Sequence, residues 1–407
     1  MRRVTIIALL IIAALSTIVY LNALDNGFHY DDEHYIVVNP FLEKWENIPA
    51  LFFTPRFYSD DKIFTGHYRP LLYVTYALNK VLGGNNPAGY HLVNLAFHVG
   101  SAFLLYLIIK AVLGSREALV SALIFAVHPF NSEVVNYITA RSSVMSGFFY
   151  LLAFYCWVKF REAANLGSSE LVAGSRKNVA GGRLKDSPAT CYLLPATYYV
   201  ASLLAFILGM LSKEVVITLP VVLWLYDLYF IHPFRTPHSA LRTLLNWRTY
   251  IPYIPFVLIV VIPYLIMRIL TWGEVFSYVR RPPLVQLYTE LPLLVKYLRL
   301  FIFPAGLNID HYTEIYRSFF AWPVVSSAII IFLFITVTIL FFRSKRVEWR
   351  VVSFFMVWFF IVLMPSTIVP LTAIFQENRG YLAILVFAVF IGVVLYSGSQ
   401  IFRGYTI

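Results

Sequence analysis

Apolar residues run along this chain in ten long blocks, and these blocks set its architecture. They cover approximately residues 4–24, 91–113, 117–130, 142–158, 192–211, 215–231, 250–270, 321–342, 350–364 and 381–402. A helix needs about 20 apolar residues to cross the hydrocarbon core of a bilayer, so the pattern predicts an all-α polytopic membrane protein of about ten spans. The blocks at 117–130, 142–158 and 350–364 are short for a crossing. They require an earlier start, a tilt or thinner lipid.

Two of the polar intervals are long, at 25–90 and 271–320. Residues 41–53 mix aromatic and charged side chains, and residues 284–303 repeat Leu284, Leu287, Leu291, Leu294, Leu298 and Phe301 at helical spacing with Lys296 and Arg299 opposite. Both predict helices lying along the membrane interface. The basic interval at 159–191 is rich in Gly, Ser, Lys and Arg over 161–190 and reads as a solvated, mobile connector. No internal repeat stands out, so residues 1–407 read as a single membrane domain.

Composition agrees: the chain is 59% hydrophobic and only 13% charged, against about 25% charged in a soluble domain. Met1-Arg2-Arg3 and the long block behind it read as an anchor that stays, since a cleavable signal has a shorter apolar core. With the N-terminus inside, the inner segments hold 18 of the 32 bases but only 6 of the 21 acids. That is the asymmetry of cytoplasmic loops. It accounts for the formal charge of +11 without nucleic acid as a partner. The expected location is the plasma (cytoplasmic) membrane, or the endoplasmic reticulum in a eukaryote. Cys156 and Cys191 fall at the inner end of adjacent blocks and read as unpaired thiols.

The candidate chemistry lies at the other face. Asn26-Gly27-Phe28-His29-Tyr30-Asp31-Asp32-Glu33-His34-Tyr35 follows the first block and places three consecutive carboxylates beside a membrane boundary. Charge is costly there unless it is used. Further polar groups fall at the same boundary: His67-Tyr68-Arg69-Pro70, His128-Pro129 with Glu133, Arg141, Ser212-Lys213-Glu214, Asp310-His311-Tyr312 and Gln376-Glu377-Asn378-Arg379. Singly each has a structural alternative: a helix stop at His128-Pro129, an interfacial anchor or a partner for Glu133 in Arg69 and Arg141, a hairpin cap in Lys213-Glu214. Together they suit a carboxylate base that deprotonates a hydroxyl while guanidinium and ammonium groups hold a leaving phosphate. Apolar grooves between spans suit a polyprenyl tail. A lipid-linked sugar phosphate meets all three demands.

At these motifs the chain resembles the GT-C glycosyltransferases that use polyprenyl-phosphate sugars, and most of all the transmembrane core of the protein O-mannosyltransferases that carry tetratricopeptide repeats. The matching stretches, in order, are Asn26-Gly27-Phe28 to Asp31-Asp32, Tyr68-Arg69-Pro70-Leu71, Gly89-Tyr90-His91-Leu92-Val93-Asn94, His128-Pro129 with Glu133 and Arg141, Ser212-Lys213-Glu214, Tyr297-Leu298-Arg299-Leu300 through Pro304 to Asp310, and Glu377-Asn378-Arg379 before Tyr381-Leu382. The resemblance implies ten or eleven spans with two long outer loops, and inverting transfer of mannose or another hexose to an acceptor hydroxyl on a protein or an envelope glycan. It maps the catalytic acid pair onto Asp31 and Asp32, and the grip on the donor phosphate onto Arg69, Lys213 and Arg379. Glu33, His34, His128, Glu133, Arg141, Glu214, Asp310 and Glu377 complete the expected substrate pocket. Two features depart from the family: no tetratricopeptide period is present, and Glu377-Asn378-Arg379-Gly380-Tyr381 stands where Glu-Arg before Tyr-Leu is expected.

Two other classes fit the composition. A lipid-linked glycan transporter or flippase favours polar residues deep within the spans and a path to both faces; here the polar clusters lie at one face. A non-catalytic scaffold has no use for the acid–cation set. No cofactor is expected, since a phosphate-linked donor needs less help in leaving than a pyrophosphate. Asp31, Glu33 and His34 are the residues that could take a divalent metal.

Overall fold

The structure is a computed structural model that describes the backbone of residues 2–54, 58, 68–178, 188–231, 247–262, 265 and 281–403. His67, the 271–280 part of the second loop and the 179–187 part of the basic connector lie outside these residues, as does the side chain of Cys191. Cys156 is a free, buried thiol.

All regular secondary structure among the described residues is helical. Seven helices there are long and apolar enough to cross a membrane: Arg3–Asp25, Pro87–Val112, Ile138–Asn165, Leu193–Met210, Glu214–Ile231, Trp322–Phe342 and Val347–Ile368. The block at 117–130 becomes a pair, Ser115–Val127 and Pro129–Asn136, bent by 52°. Thr249–Leu258 and Leu385–Tyr396 are shorter apolar helices on the two remaining blocks. The chain is therefore a multi-pass membrane protein, with helix on each block that the hydropathy pattern marks.

The bend has a local cause. Pro129 lacks an amide hydrogen and forces the residue before it out of the helical region. His128 is accordingly extended, and its ring nitrogen Nδ1 accepts from the Phe130 amide at 3.1 Å, capping the turn that restarts.

Burial separates the centre of the bundle from its rim. Two thirds (67%) of the most apolar window of Ile138–Asn165 is buried within the protein, against 22% for both Arg3–Asp25 and Trp322–Phe342. The first helix is the hub, and the other two present their aliphatic side chains outward, as a lipid-facing helix does.

The first long loop is folded. Its Pro70–Gly83 helix packs a small core of its own, with Ile36, Leu42, Leu51, Tyr58, Tyr73 and Tyr76 among its buried residues. The 41–53 stretch supplies two short turns and the Ile48–Phe53 helix. In the second loop the predicted helix spans Pro283–Ile302. Leu284 and Leu287 point outward. The face turned into the protein carries Gln286, Thr289, Glu290, Leu293 and Tyr297. This helix reverses the pattern of a water-soluble one, hiding its polar groups among other helices and turning leucines outward.

Candidate functional site

The acidic turn separates its two aspartates. Tyr30 adopts φ 50°, in the left-handed region that a bulky residue rarely occupies. The kink turns Asp31 out to solvent and Asp32 inward. Asp32 accepts from the His29 amide at 3.0 Å and from the Thr139 amide at 2.9 Å, using both carboxylate oxygens. Burial outweighs these two bonds and pushes its pKa up to about 6. The Asp31 amide donates to the Tyr137 hydroxyl at 3.4 Å, while among the described residues its carboxylate has no hydrogen-bond or ion-pair partner. Further along, the buried Lys80 donates to the carbonyls of Ile36 at 2.7 Å and Val37 at 2.6 Å. The exposed carboxylate thus rides on a loop pinned at both ends.

Three cations gather from sequence positions far apart. Arg69 grips Glu214 through Nε and Nη2 at 2.9–3.1 Å. Lys213 donates to Ser143 Oγ at 2.5 Å and to Asn378 Oδ1 at 3.1 Å. Burial pushes its ammonium down to about 7, with Arg69 and Arg379 adding to the fall while Glu214 and Glu133 oppose it. Arg379 donates to the Ile374 carbonyl at 3.2 Å. Burial lowers its pKa too, against the pull of Tyr297 and Glu290. Neither Lys213 nor Arg379 forms a salt bridge among the described residues. Lys213 and Arg379 have carboxylates within electrostatic reach but no direct carboxylate partner among the described residues, which leaves both free to meet an anion.

The displaced last motif has a structural reading. Asn378 donates to Glu133 through its backbone (2.8 Å) and its side-chain amide (2.6 Å), and its carbonyl oxygen receives Ser143 at 2.9 Å as well as Lys213. Asn378 therefore orients Lys213, and Arg379 reaches toward Glu290 and Arg69. The Gly380 that follows has no room for a side chain: a Cβ there would lie 2.6 Å from Phe130 and 2.9 Å from Tyr297.

Glu377 lies on the other flank, accepting from His311 Nε2 at 2.6 Å and from the Asn308 amide at 2.8 Å. Lys296 completes the chain, 3.1 Å from His311 Nδ1 and 4.2 Å from the centre of the Phe375 ring. Burial raises Glu377 to about 7. Tyr76 lies within electrostatic reach of Asp32, Arg141 and Arg69, so the acidic turn and the cation cluster share one end of the bundle.

The other expected site residues take varied places around this end of the bundle. Arg141 is fully buried and bonds Asn94, Thr75, Asn79 and the Tyr90 carbonyl at 2.8–3.1 Å, under the ring of Tyr76. Its partners are these neutral groups, while Glu133 pairs with Asn378. His128 spends both ring nitrogens on backbone, at Phe130 and at the Phe301 carbonyl 3.0 Å away. Asp310 is exposed, and its neighbour His311 makes the contact with Glu377. Glu33 and His34 are exposed beside Asp31. Among the described residues no group of three or more His, Cys, Asp or Glu side chains is placed to hold a metal ion, and Asp31, Glu33 and His34 do not form one.

Sequence reasoning missed Glu290. It is buried, accepts from Gln286 at 2.8 Å, faces Arg379 and Arg281, and is raised by burial to about 8. Gln286, Thr289, Glu290, Leu293 and Tyr297 form one stripe at helical spacing, a signal hidden by the leucines on the opposite face. Ser143 carries no motif of its own.

No family model matches the chain. Over 236 residues it is 31% identical to protein O-mannosyl-transferase tmtc2 of Xenopus laevis, covering 56% of this chain and 25% of that protein. Over 224 residues it is 32% identical to protein O-mannosyl-transferase TMTC1 of Homo sapiens, covering 54% and 23%. The chain is similar to protein O-mannosyl-transferases. It matches a quarter or less of the length of these relatives. Among solved structures it is similar to the Archaeoglobus fulgidus oligosaccharyltransferase, crystallised with a tethered acceptor peptide containing the NVT sequon. The TM-score there is 0.50 at 15% identity, over 97% of this chain and 49% of that one. This likeness shows the fold, and the all-α polytopic membrane architecture expected from the sequence is borne out.

Proposed function

We propose that this chain is a membrane glycosyltransferase that moves a hexose, mannose in the first instance, from a polyprenyl phosphate to an acceptor hydroxyl. The observation that carries the reading is the convergence of Arg69, Lys213 and Arg379, with neither Lys213 nor Arg379 in a salt bridge among the described residues. The resemblance to protein O-mannosyl-transferases supplies the sugar and makes a protein hydroxyl the first acceptor to try, ahead of an envelope glycan.

In this mechanism Asp31 takes the proton of the acceptor hydroxyl. The acceptor oxygen attacks the anomeric carbon from the face opposite the phosphate, and the bond from that carbon to the phosphate oxygen breaks. The electron pair passes to the phosphate, and the polyprenyl phosphate gains a second negative charge. Lys213 and Arg379, with Arg69 behind them, stabilise that charge as it develops. Asp32 holds the turn. The prenyl tail lies among the lipid-facing helices, the reaction end faces outward or toward a lumen, and the N-terminus is inside. The cations serve the leaving group, so the reaction proceeds without a metal ion.

The test is transfer of labelled sugar from polyprenyl-phosphate mannose to an added Thr-containing peptide, with release to water as the background, by purified protein in detergent, with and without EDTA. Wild type transfers sugar in both conditions and Asp31→Asn does not. Full activity in Asp31→Asn would overturn the assignment of the base, and no transfer or release from any such donor would overturn the reading itself.

A further inference from the structure

Resting on the reading just given, we propose that residues Tyr312 to Arg317 of the second loop form a docking strand for the acceptor, an extended peptide that pairs with it backbone to backbone. The segment has no helix or turn, and among the described residues no backbone–backbone hydrogen bond reaches any residue from Tyr312 to Arg317. It is nevertheless held in place. At its start His311 bonds Glu377 at 2.6 Å, and Glu377 also takes the Asn308 amide at 2.8 Å. Near its end the Tyr316 amide donates to Thr289 Oγ1 at 3.2 Å. Both fastenings adjoin the cation cluster: Glu377 is two residues from Arg379, and Thr289 precedes Glu290, which faces Arg379.

Backbone that runs without helix, turn or bend, pinned near both ends and unpaired among the described residues, is open to pairing with an extended chain. Fixing the strand beforehand removes part of the ordering cost that binding would otherwise meet. Amides along a strand alternate in direction. The Tyr316 amide points into the protein, so those of Tyr312 and Glu314 share its edge. In strand geometry the amides of Thr313, Ile315 and Arg317 would form the opposite edge, facing away. Tyr312, at 93% exposure, adds an apolar contact beside it. An acceptor paired on that edge would lie alongside the cations that hold the donor phosphate.

Proline tests the free edge because it deletes an amide hydrogen. The full chain in detergent is titrated with a fluorescent Thr- and Val-rich peptide, and donor sugar release is measured separately. Thr313→Pro and Ile315→Pro should each weaken peptide binding by about three- to tenfold, the worth of one backbone bond. Thr313→Ala and Ile315→Ala should stay within about twofold, and sugar release without peptide should match wild type in all four. Proline variants that bind as wild type does, alanine variants that lose as much as proline, or a wild type that binds no peptide would each overturn the docking strand. A wild type that binds peptide but releases no sugar would instead overturn the donor reading on which it rests.

Discussion

Arg69 and Glu214 face each other in a two-pronged ion pair across 145 positions of sequence, every contact between 2.9 and 3.1 Å. Beside it the Leu71 amide donates to the Leu211 carbonyl at 3.1 Å. The pair therefore ties the helix after the acidic turn to the turn that carries Lys213, and it holds Arg69 in the cluster. Such a fork tolerates lysine poorly, because an ammonium is a point charge. A double-mutant cycle on Arg69→Ala and Glu214→Ala should return a coupling of about 1–2 kcal/mol in thermal or denaturant stability, as expected of contacting charges. Arg69→Lys should weaken polyprenyl-phosphate binding about tenfold. Additive single effects would mean that the pair does not join the two segments.

Asp31 and Asp32 should fail differently. Asp31→Asn removes an exposed carboxylate without a hydrogen-bond or ion-pair partner among the described residues, so turnover should fall by a factor of about 100 or more while donor binding and thermal stability hold. Asp32→Asn replaces an acceptor of two backbone amides, so the 28–37 loop should become more sensitive to protease. Parallel measurement of turnover, donor affinity and proteolysis separates the two. Equal losses in all three for both variants would end the division of roles.

Donor affinity should depend on pH through Lys213. Its pKa falls from 10.5 to about 7 in the fold, by burial first. An anion needs the protonated form, so affinity is full below pH 7 and declines above it, by up to about tenfold per pH unit. Glu377, near 7, and Glu290, near 8, gain negative charge over the same range and push the same way. Lys213→Met should bind more weakly at low pH and lose about one proton from the slope, leaving what those two glutamates contribute. For stability the sign is opposite. Between pH 7 and 10.5 the unfolded chain binds the extra proton, so this lysine's destabilising effect is relieved as pH rises. Titration calorimetry with a short-chain polyprenyl phosphate at several pH values measures the slope.

The sequence carried the helical blocks and the ordered motifs because both are local. The ten apolar blocks needed only hydropathy, and the cations Arg69, Lys213 and Arg379 stood out as charges beside membrane boundaries. Burial and pairing were not local. Arg141 looks like a site arginine in sequence, yet it is enclosed by Asn94, Thr75, Asn79 and Tyr90, residues 47 to 66 positions away. His128 was legible as a helix stop, but its bond to the Phe301 carbonyl crosses 173 positions. Glu290 is masked in sequence by the leucine face of its helix, whereas the face that packs inward is the polar one. The division between Asp31 and Asp32 rests on one backbone angle at Tyr30, which no residue pattern announced.

Lys80 should act on catalysis through the acidic loop alone. Its ammonium binds the carbonyls of Ile36 and Val37, at the end of the helical turn Glu33–Val37 that follows Asp31 and Asp32. Lys80→Met keeps the apolar stem and removes both bonds, freeing the loop to sample positions in which Asp31 misses the acceptor hydroxyl. A misplacement of that kind costs turnover, on the order of tenfold to a hundredfold, but leaves donor affinity near wild type, since the donor cations sit outside the acidic loop and Arg69 keeps its own tie to Glu214. Lys80→Arg should restore part of the rate, because a guanidinium can also donate to two carbonyls. Turnover and polyprenyl-phosphate affinity measured on the same preparations check this. A parallel fall in both, or no recovery with arginine at equal stability, would place Lys80 in general folding and leave the loop positioned by Asp32 and Tyr137.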